Sequence, residues 1–214
     1  MSHEYIIFGG AFDPWTKAHA SIVTAAARKF SDAHVVIIPS VVDWHRKNKQ
    51  TLFTESERAF IIKEWVRTSL HDDIRARVYV DTHEYSLPTE LREGRGFVDT
   101  LRYFMESRSF STNEDKNIFR FIIGADEWRI FAKWKNPEEV LRLAKPILVF
   151  RAGEEVPSDL DILEIEASCS DVSATKTREA IVADPCWHTI DSRYTNANPH
   201  ARAAWYLSNF NFWR

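Results

Sequence analysis

Two rhythms of apolar and polar positions alternate along this chain, and the switches between them lay out its elements. Tyr5 to Phe8 is an apolar run that stops at Gly9-Gly10. Lys17 to Phe30 then carries apolar residues every three or four positions, and His34 to Pro39 is a second short apolar run. A short run ended by turn residues reads as a buried strand; a three-to-four repeat reads as a helix with one buried face. Strand, helix and strand in close succession form a right-handed βαβ unit, which predicts a parallel sheet.

The rhythm continues downstream. Thr54-Glu55-Ser56-Glu57 is a capping-box pattern, so a helix is predicted from Glu55 to about Leu70. Val78 to Val80, Ile118 to Ile123, Pro146 to Phe150 and Ile162 to Glu166 read as further strands. Residues 81–96 read as an irregular connection because Pro88, Gly94 and Gly96 interrupt any period. Ser173 is a good cap for a helix running to about Val182. The expected fold class is α/β, a doubly wound parallel sheet with flanking helices. A chain of 214 residues suits one domain, 1–214, of which 184–214 reads as an atypical helical tail.

Composition narrows the setting. Hydrophobic residues make up 44% and charged residues 28%, as in a globular α/β protein. No apolar run approaches the roughly 20 residues of a membrane span. The start Met1-Ser2-His3-Glu4 lacks a basic segment followed by a long apolar one, so no membrane and a cytoplasmic location are expected. Cys169 and Cys186 make neither a disulfide framework nor a zinc site. A net charge of −3 gives no global attraction to nucleic acid, so an anionic ligand must be held by a local cluster.

Ligands of such sheets sit beyond the carboxyl ends of the strands, where Gly9-Gly10 lies. Glycines let a backbone approach a bulky anion, and Thr16 and His19, three apart, share a helix face on which both can meet one phosphate. The same residues also suit a tight turn followed by a packed histidine. Arg46, Lys47 and Lys49 follow strand two at the same sheet edge, as an anion contact or a solvated loop. Asp126, after Gly124 at a strand end, can take hydrogen bonds from a ribose or cap the next helix. Ser173, Thr175, Lys176 and Arg178 either converge on an anion at the start of their helix or simply open an ordinary capped helix.

Gly9-Gly10-Ala11-Phe12-Asp13-Pro14-Trp15-Thr16-Lys17-Ala18-His19 resembles the opening motif of the nucleotidylyltransferase superfamily, with Ala18 where many members carry Gly. Ser173-Ala174-Thr175-Lys176-Thr177-Arg178 resembles its second signature, with Ala174 and Thr177 as departures. Gly124-Ala125-Asp126, followed after seven residues by Trp134 and then Lys135-Asn136-Pro137-Glu138, is similar to the nicotinate and nicotinamide mononucleotide adenylyltransferases. Gly96-Phe97-Val98-Asp99-Thr100-Leu101 resembles their Tyr-Thr-x-Asp-Thr-Leu helix start, with Gly96-Phe97 replacing Tyr-Thr.

The resemblance implies a Rossmann-like fold of nucleotidylyltransferase type and adenylyl transfer from ATP to a pyridine mononucleotide, in NAD biosynthesis. It implies that Thr16, His19 and Arg178 act on the triphosphate and that the Gly9–Phe12 backbone, Ser173, Thr175 and Lys176 bind it. Gly124 and Asp126 would meet the adenosine ribose. One of Arg46, Lys47 or Lys49, and also Arg58, would reach phosphate, and Asp99, Thr100 and Trp134 would hold the mononucleotide. Mg²⁺ would ride on ATP without dedicated protein ligands, and homo-oligomerisation is left open. The rivals are another adenylyl- or cytidylyltransferase, such as one acting on phosphopantetheine, and a non-catalytic nucleotide sensor.

Overall fold

Among the described residues six strands form one sheet: β1 (Glu4–Gly10), β2 (His34–Pro39), β3 (Val78–Val80), β4 (Ile118–Gly124), β5 (Lys145–Arg151) and β6 (Asp161–Ile165). Their order is β3-β2-β1-β4-β5-β6, and every neighbouring pair is parallel. The computed structural model describes residues 3–41, 51–92, 94–107, 117–151, 161–165, 174–187 and 199–210.

Both faces of the sheet are covered, which is why its strands read as apolar runs. On one face Ile6, Phe8, Val35, Ile37, Ile122 and Val149 pack with α1 (Lys17–Lys29), α2 (Glu55–Ser69) and α3 (Asp72–Arg75). On the other, Ile7, Val36, Ile38, Phe121, Ile123 and Leu148 pack with α4 (Phe97–Ser107) and α6 (Pro137–Leu143), which follows the short α5 (Ala125–Arg129). Two later helices, α7 (Ala174–Ala183) and α8 (Ala201–Asn209), join the first face through Ile181, Ala203 and Tyr206.

The doubly wound α/β expectation holds, and β2 and β3 have the predicted bounds. The capping box at Thr54 and Glu57 forms, with the Thr54 N–H donating to Glu57 Oε2 at 2.9 Å. Sequence reading gave no helix at 72–75 or 137–143. These are one and two turns long, too short for a repeat to register. The connection 81–96 is less irregular than expected, because it holds 3₁₀ turns at His83–Ser86 and Thr89–Leu91.

Strand order reverses direction between β1 and β4, and the carboxyl ends of these two strands carry Gly9-Gly10 and Gly124. A doubly wound sheet opens its crevice at such a reversal. Helix α8 closes over the same region from behind. Arg202 meets Glu57 with Nε on Oε1 at 2.9 Å and Nη2 on Oε2 at 2.6 Å, and the Tyr206 hydroxyl donates to the Trp15 carbonyl at 2.6 Å. Among the described residues no helix is long and apolar enough to cross a membrane.

Candidate active site

A cleft of about 600 Å³ opens at the β1–β4 reversal. The glycine loop forms one wall. Phe12 takes φ 47°, a conformation that costs a bulky residue about 1–3 kcal/mol and persists only when its surroundings impose it. Here packing does so: its ring is buried, 5.0 Å from Phe8 and 5.1 Å from Trp15. A Cβ on Gly10 would lie 2.9 Å from that ring, so only glycine fits the turn.

Asp13 fastens the loop to the rest of the molecule. Its buried carboxylate accepts the N–H groups of Leu52 at 2.8 Å and Phe53 at 2.9 Å, at the entrance to α2. Arg58, one turn into α2, is also buried, and its Nη1 donates to the carbonyls of Ala11 at 2.6 Å and Ser40 at 2.8 Å. The phosphate contact expected of Arg58 is thereby corrected: its guanidinium serves loop carbonyls and does not line the cleft.

His19 projects from the first turn of α1. Its Nδ1 lies 3.0 Å from the Thr16 backbone nitrogen and 3.1 Å from Thr16 Oγ1. A backbone N–H can only donate, so Nδ1 is the acceptor and the neutral ring carries its hydrogen on Nε2. Desolvation by burial pushes the His19 pKa down to about 4, so the ring is a neutral hydrogen-bond donor at pH 7. Thr16 corrects the expectation that both side chains meet phosphate. It is fully buried, outside the cleft lining, and turned onto His19 because its own position is the cap of α1.

The second signature arrives from 165 residues away. Arg178 on α7 donates from Nη1 to the Asp13 carbonyl at 2.5 Å and from Nη2 to Thr175 Oγ1 at 3.0 Å. Ala174, Thr175 and Arg178 line the cleft with His19. Thus the two distant motifs face one space. Lys176 is exposed and off that lining, since helical geometry turns it about 100° from its neighbour Thr175.

Aromatic rings build the far wall. The Phe97 ring meets the Trp134 indole edge-on at 5.7 Å, and Trp134 lies 5.1 Å from Phe131. Gly9 touches this wall as well, because a Cβ there would come 3.1 Å from the Phe97 ring. Asp99 opens α4 by accepting the Gly96 N–H at 2.8 Å and the Lys135 ammonium at 3.0 Å. Desolvation works against its charge, yet these two donors hold the carboxyl below its usual range. Thr100 faces the cleft, but its hydroxyl donates to the buried Glu84.

The cytidylyltransferase-like family model matches residues 7–180, which span all these motifs. The chain belongs to that family. Among curated relatives, a protein named "Probable nicotinate-nucleotide adenylyltransferase" from Arthrobacter sp. (strain FB24) is 29% identical over 188 residues, covering 85% of this chain and 82% of the relative. One of the same name from Listeria welshimeri is 23% identical, covering 87% and 94%. Among solved structures, Plasmodium falciparum nicotinic acid mononucleotide adenylyltransferase complexed with NaAD aligns with a TM-score of 0.67 at 14% identity, over 99% of this chain and 97% of that one. At that identity the likeness speaks for the fold. The resemblance read from the motifs is the one these comparisons return.

For this cytidylyltransferase-like chain, Gly9, Gly10, Ala11, Phe12, His19, Thr100, Gly124, Trp134, Thr175 and Arg178 share the cleft. Asp126 does not line it. Its side chain is 81% exposed and pairs with Arg129 one turn along α5 at 2.8 Å, while the next residue, Glu127, faces the cleft. Asp99 is likewise outside the lining, engaged at the start of α4. Arg46, Lys47, Lys49 and Ser173 lie outside the described residues. Asp13, Glu84 and Arg95 were not singled out from sequence. Asp13 lies within the opening glycine motif and Arg95 between two glycines, but nothing in the pattern around Glu84 marks it. Among the described residues no three His, Cys, Asp or Glu side chains converge as a metal-binding group.

Proposed function

We propose that this chain joins ATP to nicotinate or nicotinamide mononucleotide, giving the dinucleotide and pyrophosphate, as a step of NAD biosynthesis. One observation carries the reading: a single cleft gathers the glycine loop, His19, Arg178 and the Phe97–Trp134 wall. The names of the curated relatives agree with it. The whole chain is proposed as one nucleotidylyltransferase domain acting in the cytoplasm.

In the proposed reaction an oxygen of the mononucleotide phosphate attacks the α-phosphorus of ATP. A new P–O bond forms, the bond to the bridging oxygen breaks, and its electrons leave with pyrophosphate. At pH 7 a monophosphate is already largely ionised, so the protein need not remove a proton. Its work is to align two polyanions and to place donors where charge grows. The neutral His19 offers Nε2–H to an α-phosphate oxygen, and Arg178 opposes the departing phosphates from the other wall. Backbone N–H groups of the loop that follows β1 would add to that cradle.

Of the carboxylates in the lining, Asp13 is engaged by the Leu52 and Phe53 N–H groups and Glu84 by Val41 and Thr100, and among the described residues no three acidic, His or Cys side chains converge, so the cation proposed here, Mg²⁺, would ride on triphosphate oxygens. When bound it would supply neutralising charge to the triphosphate. Incubating the protein with ATP, Mg²⁺ and either mononucleotide should yield pyrophosphate and dinucleotide in equal amounts. Pyrophosphate with phosphopantetheine alone would assign another transferase, and no turnover with any acceptor would assign a sensor.

A further inference from the structure

Arg95 sits between Gly94 and Gly96, just ahead of α4, and lines the cleft beside Phe97 and Trp134. Its Nε and Nη2 are shut off from solvent, and among the described residues neither meets an acceptor. Asp99 is near enough to feel the guanidinium charge, but Asp99 Oδ2 is committed to Gly96 and Lys135. Leaving a buried donor unpaired is destabilising, and more so on a charged group, so an orphaned edge of this kind calls for an acceptor from outside the chain.

Nε–H and Nη2–H point the same way from one edge of the guanidinium. Two parallel donors match the two oxygens of a carboxylate or of a phosphate. The neighbours choose between them. Glycine-loop amides, His19 and Arg178 gather where the phosphates must react, whereas Arg95 is two residues from Phe97, whose ring forms an aromatic wall with Trp134. A planar heterocycle suits that wall, and the anion it brings is a substituent on the ring.

We propose that Arg95 binds the ring carboxylate of the pyridine mononucleotide and makes the site select the acid over the amide. Resting on the adenylyltransferase reading above, this adds the residue that sets the preference. An amide offers one acceptor oxygen to the edge, and its NH₂ group sets donor against donor. Gly96, next to Arg95, has room only for hydrogen, since a Cβ there would lie 2.8 Å from the Lys135 Cβ.

The test compares wild type with Arg95→Gln and Arg95→Lys, using nicotinate mononucleotide and nicotinamide mononucleotide as probes. Equilibrium affinities are measured by calorimetry, alongside kcat/KM for each and KM for ATP. The wild type should favour the acid at least about 30-fold, consistent with one charged bidentate contact. Arg95→Gln should reduce that ratio to within threefold of unity, leave KM for ATP within twofold and leave Tm no lower. Arg95→Lys should restore only part of the ratio. Equal wild-type affinity for acid and amide, or an unchanged ratio in Arg95→Gln, would overturn the inference while the reaction stands. So would equal losses for both mononucleotides and ATP together with a lower Tm, which describe a structural arginine. A wild type that forms no dinucleotide yet binds the acid through Arg95 would overturn the reaction and leave the inference standing. Failure to bind either mononucleotide would overturn both.

Discussion

At the glycine-loop end of the cleft, the groups that face ligand are held from behind: Asp13 ties the loop to α2, Arg58 takes the Ala11 carbonyl, and Thr16 fixes the His19 ring. At the aromatic end Phe97 and Trp134 support each other, while the inner edge of Arg95 has no acceptor among the described residues. The difference follows from what each end would do. Stabilising charge that develops during a reaction requires dipoles already in place, so the loop end is braced. Recognising a substituent requires one unmet edge, so the aromatic end leaves an arginine for its ligand.

The largest effect should come from the loop end. His19→Ala is expected to lower kcat by about 10²–10³-fold or more, as removal of a transition-state donor does, while circular dichroism stays native. Wild-type turnover would remove His19 from the reaction. Asp13→Ala removes a buried carboxylate from two backbone N–H groups and should lower unfolding free energy by about 2–4 kcal/mol in urea titration. A loss under about 0.5 kcal/mol would mean that the loop is braced elsewhere. At the aromatic end, Gly96→Ala should push Lys135 aside and raise KM for the mononucleotide about tenfold, with KM for ATP little changed. Equal changes in both constants would erase the division between the two ends.

A smaller effect is a matter of pH. The unfolded chain protonates His19 near pH 6.5, the folded one near 4. Between those values the unfolded state binds the extra proton, so this contribution to stability is full above 6.5 and is lost as pH falls to about 4. Proton NMR of the free protein should place the His19 midpoint near 4. A midpoint near 6.5 would mean that the ring is solvated and the loop end less closed.

Much of this was legible in the chain because it is local. Strand runs and the 3.6-residue repeat reported the sheet and its longer helices, and the spacing of Gly9-Gly10, His19 and Arg178 named residues that do share a cleft. What escaped depends on tertiary direction. Thr16 and Asp126 have suitable side chains at suitable positions, but one turns onto the His19 ring and the other pairs with Arg129. Arg58 looks like a ligand contact until burial shows it bracing the loop. Arg95 is one cation among 28 Lys and Arg, and what sets it apart among the described residues is a place on the cleft wall together with two donors, Nε and Nη2, that meet no acceptor.

The central claim is that the glycine loop with His19 and the distant helix with Arg178 act on one triphosphate. A double-mutant cycle of His19→Ala and Arg178→Ala on kcat/KM for ATP tests it directly. The two changes should couple by at least about 1 kcal/mol, as for residues sharing one partner. Additive losses, within about 0.3 kcal/mol, would place the two motifs on separate ligands and contradict it.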